Sequence, residues 1–381
     1  MKSTGLGDII THCLNVKNKN TIKFIANLIE LILRNESIKP YRLAKAINGF
    51  RSNKLEAKAK RIRELLSSGK LEDYVTYARY VIQLFGITDK IRLAMDRTNW
   101  EVGTKSINYL ILSIIWHDVS LPIYWIALDN KGGNSDSETR IELIKWFVDN
   151  IGSGLIKHVL ADREFPSGEF YDWLKANKIT GLFRSRENVK ATDGDKKKLL
   201  SELYKDLPLG KSKVEKSVRR VYNTRLYVAV KRIKNTDKTK KDKKTELLIV
   251  ISTEEFNFDP FVEYKNRWKI EVMFNKFKTY GFNLESTSVT NMKRLNGILM
   301  LLNLAYCFSC YIGTIRRKII AIKNKGKSHL NEFSLFRYGL DLIKHILFVQ
   351  TDNSLCYKLW SLLNGGRFRR NSEFGLLVKS L

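Results

Sequence analysis

Four side chains in the stretch YKNRWKIEVMFNKFK, residues 264–278, could do chemistry together. Tyr264, Arg267, Glu271 and Lys278 are separated by two, three and six residues. On a helix at about 100° per residue they share an arc of about 60°. Lys265, Lys269 and Lys276 gather on the far side as ordinary solvent lysines. Trp268 and Val272 flank the stripe on one side; Ile270, Phe274 and Phe277 flank it on the other. A polar stripe between apolar walls loses hydration unless its charges meet partners. The plainer account is an Arg267–Glu271 pair one turn apart. The chemical account is a carboxylate for a metal ion, beside a guanidinium fork and an ammonium suited to phosphate oxygens.

Two further acids favour the chemical account. IRLAMD (91–96) is a short apolar run ending in Asp96, and IKHVLAD (156–162) ends in Asp162. Carboxylates at two strand ends, joined by Glu271 from a later helix, can converge. Three acids suit two Mg²⁺ ions about 3.5–4 Å apart with a phosphate between them.

The elements that must position these residues follow from the pattern. Residues 1–88 are helical and basic, with TIKFIANLIELILR (21–34) at helical spacing. INYLILSIIWHD (107–118) and LPIYWIALD (121–129) predict strands separated by a tight turn at Val119-Ser120. Residues 137–151 predict an amphipathic helix capped by serine, and 166–178 one with proline at its start. ITGLFRS (179–185) predicts a strand. Residues 187–216 are lysine-rich and weakly patterned. Residues 217–233 predict a hairpin turning near Asn223-Thr224, 234–244 a basic loop tip, and 245–252 a strand. Helical sequence resumes near 260. Strands followed by alternating helix and strand give a mixed sheet with helices packed on it.

Composition bounds the partners. The chain has 381 residues with 68 Lys and Arg against 39 Asp and Glu, a formal charge of +29. Such an excess attracts polyanions, nucleic acid first and an anionic membrane surface second. Cys13, Cys307, Cys310 and Cys356 make no disulfide framework. The lone pair Cys307-Cys310 fits a buried helix better than a metal site. Asp8 interrupts the only apolar patch of the N-terminus, so no signal peptide is expected and the compartment is cytoplasmic. The uncharged run 295–315 is long enough to span a bilayer, but its asparagines, serine and threonine fit a buried core helix. No membrane association is expected.

AMDRTNW, LADREF and YKNRWKIEVMFNKFK together resemble the DDE transposases of bacterial insertion sequences, specifically the insertion sequence 4 family. That family's mark is the same Tyr-(2)-Arg-(3)-Glu-(6)-Lys series, with an Asp-Arg-Glu triplet like the one opened here by Asp162. The resemblance covers about 90–325. It implies an α/β, RNase H-like mixed sheet with flanking helices, a β-rich insertion, and helical N- and C-terminal regions. Its layout would be 1–88 for a helical DNA-binding region, 89–186 and 256–325 for the catalytic core, 187–255 for the insertion, and 326–381 for a helical region suited to dimerisation. It implies catalytic, metal-holding Asp96, Asp162 and Glu271, with Tyr264, Arg267 and Lys278 on phosphates near the cleaved end. Arg163, Arg184 and Arg186 are candidate DNA contacts.

Two Mg²⁺ ions, replaceable by Mn²⁺, double-stranded DNA at element ends and target, and a homodimer in a synaptic complex are implied as well. The location implied is the bacterial cytoplasm, at the nucleoid. Some relatives stack a flipped base on a tryptophan of the insertion during hairpin formation. Between 187 and 252 this chain has none, only Tyr204, Tyr222 and Tyr227. Two other expectations differ in activity: a transposase-derived DNA-binding protein without cleavage, and a general Mg²⁺-dependent nuclease of the same fold.

Overall fold

The computed structural model describes residues 5–47, 54–128, 135–193, 196–235, 244–322, 333–349 and 353–365, with 375 and 378. Most of the expected loop tip at 234–244, and much of 326–381, falls outside them. In chain order the elements are α1 (Gly5–Leu14), α2 (Lys19–Asn35), α3 (Pro40–Ala46), α4 (Leu55–Leu66) and α5 (Tyr74–Leu84). Then come β1 (Ile91–Val102), β2 (Lys105–Trp116), β3 (Val119–Ala127), α6 (Ser137–Asn150), β4 (Ile156–Ala161), α7 (Gly168–Ala176) and β5 (Gly181–Ser185). Next are β6 (Lys190–Asp193), β7 (Lys196–Leu199), α8 (Leu200–Leu203), β8 (Ser212–Val214), β9 (Arg219–Val221), β10 (Thr224–Lys234) and β11 (Thr245–Ser252). The chain then runs through α9 (Pro260–Lys265), α10 (Trp268–Phe277), α11 (Met292–Ile319), α12 (Leu335–Val349) and α13 (Asn353–Leu363). It divides into two compact units: 88–99 with 108–271, and 1–87 with 100–107 and 272–381.

The first of these units is built on a sheet in the order β3-β2-β1-β4-β5-β11-β10-β9-β6-β7, with β8 on β10. β4 runs parallel to both β1 and β5, while β11 is antiparallel to β5 and β10. This is a mixed α/β fold, a large sheet flanked by helices, consistent with the RNase H-like layout. β2 is buried without a break from Ile107 to Ile115, as expected of an inner strand covered on both faces. Its buried Ser113 donates to Ala94 O at 3.3 Å and accepts from Ser120 at 2.6 Å, so burial leaves that hydroxyl satisfied. Helices are pinned by ring contacts: Tyr124 stacks on Trp146 at 4.2 Å, and Phe170 on Phe183 at 5.3 Å. Each such pair is worth about 0.5–1.5 kcal/mol beyond its buried area. Leu160, Leu182 and Val250 form the bed on which Tyr264 of α9 packs.

Several expected boundaries move. Asp96 does not end its strand, because β1 continues to Val102. Only the parallel pairing with β4 stops there; beyond it β1 turns through 103–104 into β2. The β2–β3 turn lies at His117-Asp118, two residues earlier than expected, with His117 at φ 43°. α6 is capped by Asp136, whose carboxylate accepts from Thr139 N at 2.7 Å, and not by a serine. Ser167 caps α7, so Pro166 stands outside the helix. The insertion hairpin turns at Tyr222-Asn223, both at positive φ (51° and 64°).

The other unit is helical. α11 has 28 residues, roughly 42 Å. By length and composition it could cross a membrane, but 94% of its most apolar window is buried inside the protein. Cys307 and Cys310 are buried on it, and burial pushes the Cys307 thiol up to about 12. α11 and α12 touch backbone to backbone: a Cβ on Gly339 would stand 1.8 Å from Ser309 O. Only glycine allows that approach.

Candidate functional site

The parallel register of β1 and β4 sets up the site. Arg92 pairs with His158, Leu93 with Val159, Ala94 with Leu160 and Met95 with Ala161. Asp96 and Asp162 follow the last pair on each strand. Asp96 on β1 and Asp162 just past the end of β4 are thereby brought near enough to interact electrostatically.

α9 and α10 bring the other side chains over this point. They are two helices, not the continuous one expected from the wheel. At the joint, Arg267 N donates to Tyr264 O at 2.9 Å and Ile270 N to Arg267 O at 3.1 Å, three residues back instead of four. The cause is local: the Asn266 amide donates to Glu263 O at 3.0 Å and competes with the helix ladder. In such a tight turn residues three apart eclipse. Tyr264 and Arg267 consequently share one face, with the guanidinium 5.9 Å from the ring centre. Glu271, four residues on, lies one α-turn away.

The five side chains form one network. Arg267 donates Nη1 to Asp96 Oδ2 at 3.0 Å and Nη2 to Glu271 Oε1. The Tyr264 hydroxyl donates to Asp162 Oδ1 at 3.3 Å. Asp96 also accepts from Arg97 N at 2.8 Å. Desolvation raises the Asp96 carboxyl to about 7; Asp162 and Glu271 add to the rise, and Arg267 opposes it. Burial alone would lower the Arg267 guanidinium, yet Tyr264 and the three acids hold it above its ordinary value. A buried carboxyl raised by two neighbouring acids lies in an environment that attracts a cation.

The donors are hard oxygens, which suit a magnesium-like ion. Asp96, Asp162 and Glu271 are the residues that could hold one. As arranged, Arg267 joins Asp96 to Glu271. Among the described residues no three acid, histidine or cysteine side chains close around a single point. The donor chemistry of the three acids fits such an ion, while Arg267 bridges two of them in this arrangement.

The remaining expected residues are placed differently. Lys278 belongs to the helical unit and pairs with Glu285 at 3.0 Å. Arg163 and Arg186 are exposed, whereas Arg184 pairs with Glu246 at 3.4 Å. Of the insertion tyrosines, Tyr204 is buried and donates to Glu215 at 2.9 Å, and the Tyr222 hydroxyl meets Ser185 at 2.9 Å. The apolar walls also differ from the wheel. Ile270, Phe274 and Phe277 are buried, but Trp268 is 59% exposed and Val272 36%.

Two groups of positioning residues went unnoticed in the sequence. Arg97, next to Asp96, pairs with Glu164, two residues past Asp162, at 3.2 Å. Buried Arg140 donates to Phe165 O at 2.7 Å and steadies the same loop. Beneath α9, Glu263 takes hydrogen bonds from Arg92 and from His158 at 2.6 Å. Their only sequence signal was adjacency: Arg97 and Glu164 flank the two aspartates, and Glu263 precedes Tyr264.

A family model described as "Transposase DDE domain" matches residues 87–308. Among solved structures, the chain is similar to the piggyBac transposase of a cryo-EM synaptic complex with hairpin DNA. That match has 12% identity, covers 97% of this chain and 83% of that one, and has a TM-score of 0.45. Comparison with curated proteins gives no match.

Proposed function

Because the chain belongs to the transposase DDE domain family, we propose that it cuts and rejoins DNA at the ends of a mobile element. Asp96, Asp162 and Glu271 act as the catalytic, metal-holding carboxylates. The observation that carries this is the single network in which Arg267 and Tyr264 tie the three acids together. Asp96, Asp162 and Glu271 would hold two Mg²⁺ ions, or Mn²⁺ in their place, whose charge would acidify an attacking water or 3′-hydroxyl and stabilise the leaving oxygen.

The chain's own residues do the rest. The Arg267 fork and the Tyr264 hydroxyl orient the phosphate of the DNA end; Lys278 is assigned a phosphate contact on its place in the Tyr-Arg-Glu-Lys series alone. Exposed Arg163 and Arg186 extend the contact along the backbone, with Arg184 beside them. The Tyr-Arg-Glu-Lys spacing supports membership in the insertion sequence 4 group, with terminal inverted repeats as substrate. The work is carried out by a homodimer in a synaptic complex, in the bacterial cytoplasm at the nucleoid.

The test is Mg²⁺-dependent cleavage of DNA carrying the element's own ends. Asp96→Ala, Asp162→Ala and Glu271→Ala should each reduce cutting by at least about a thousandfold, a loss of roughly 4 kcal/mol of transition-state stabilisation. Any variant that cuts like the parent removes its residue from the triad.

One observation favours a second function, DNA binding without cleavage: Arg267 already bridges Asp96 and Glu271. Duplex binding with no cutting in Mg²⁺ or Mn²⁺ would establish it. Cutting without end preference would instead mark a general nuclease.

A further inference from the structure

A cleft of about 740 Å³ lies between α7 and the β9–β10 ribbon, in the sheet unit and away from the carboxylates. From β4 to β9 there are four strand steps, roughly 20 Å at about 4.8 Å each. Lys175, Arg219, Arg220 and Arg225 line it against one acid, Asp172.

Some of these groups build the cleft. Arg219 donates to Glu215 at 3.1 Å and to Thr192 O at 3.4 Å, tying β9 to the neighbouring insertion segments. Asp172 accepts from Thr224 at 2.6 Å, and Lys175 donates to Thr224 Oγ1 and Arg225 O, each at 3.3 Å. The ribbon's turn sits tightly on α7, since a Cβ on Gly168 would stand 2.3 Å from Tyr222 O. The floor is therefore fixed before any ligand arrives.

Arg220 and Arg225 do none of this. They are direct cross-strand partners, both exposed, and neither forms an ion pair among the described residues. Like charges opposite one another on a ribbon are destabilising. The ribbon bears that cost on a rigid support, which is sensible where an anion joins the two guanidiniums.

We propose that this cleft is a second binding site for the phosphodiester backbone of nucleic acid, held by Arg220 and Arg225 with Lys175 behind them. Val218 is the one apolar side chain of the lining, so the cleft offers phosphate contacts and no bed for a base. Guanidinium forks suit that ligand better than ammonium groups do. That the polyanion is DNA rests on the function proposed above; the phosphate chemistry does not.

The test is fluorescence anisotropy of the full-length protein with a duplex of arbitrary sequence, titrated with KCl. Two lost phosphate contacts lower the slope of log K against log salt by about two. Arg220→Ala/Arg225→Ala should show that change and bind at least about tenfold more weakly at 0.1 M salt. Arg220→Lys/Arg225→Lys should retain the slope. Both positions are exposed, and a melting temperature no lower than the parent's checks folding, since removing two opposed like charges relieves repulsion. An unaltered slope and affinity in the alanine pair overturns the proposal. So does a loss seen only on anionic phospholipid vesicles and not on the duplex. No cleavage is required, so a failure of the triad variants and a failure here are separate results.

Discussion

Asp96 concentrates the electrostatics of the molecule. Its carboxyl is held at about 7 because it is desolvated beside two other acids, and Arg267 only partly offsets this. The ordinary value is 3.8, so the folded chain binds this proton more tightly than the unfolded chain does. The folded state therefore loses stability as pH rises from about 4 to about 7, and the full penalty applies above that window. Asp96→Asn keeps an acceptor for Arg267 and removes the charge. Without metal at pH 8 it should stabilise the fold by on the order of 2–4 kcal/mol, and at pH 4 by almost nothing. Melting curves at both pH values in EDTA check this; equal shifts at both would show that the acid is not protonated in the fold.

Between residues and the whole stand the elements that aim them. α9 is fixed to the sheet by Glu263, which lies one residue before Tyr264. Burial would raise its carboxyl, but hydrogen bonds from His158 and Arg92 hold it at about 2, against an ordinary 4.5. A depressed acid adds stability that is complete above about pH 4.5 and is lost as pH falls towards 2. Glu263→Gln should flatten acid unfolding across that window. Glu263→Ala should cost about 2–3 kcal/mol at pH 7, because Arg92 and His158 lose their acceptor. Chemical denaturation at pH 7 and pH 3 measures both effects. The glutamine variant should also lower kcat more than it raises KM, since Tyr264 and Arg267 follow Glu263 on the same turn.

For the whole molecule, charge and chemistry are separable. A formal charge of +29 predicts DNA binding that weakens steeply with salt whether or not a metal is present. EDTA should abolish cutting and change duplex affinity at 0.15 M salt by less than about threefold, as read by gel cleavage and anisotropy on one sample. A larger loss of affinity would mean that the metal ions, and not the arginines and lysines, hold most of the DNA.

The sequence by itself determined which side chains are the candidates for the site. Spacing within a helix turn is local, so the Tyr264–Arg267–Glu271 series could be read directly. The alternation of strands and helices likewise follows from apolar periodicity, and a basic polyanion binder follows from composition. Tertiary structure decided everything that depends on pairing across the chain. The register of β1 on β4 sets Asp96 beside Asp162, though β1 runs on past Asp96. Asn266 breaks the helix and brings Tyr264 over Arg267, while Trp268 turns outward. Glu263, Arg92 and His158 are unremarkable in sequence and become a buried lock only when α9 meets two strands. Arg220 and Arg225 oppose each other only because of where one turn falls. A charge's environment is set by neighbours distant in sequence, and burial and register arise only when the sheet assembles.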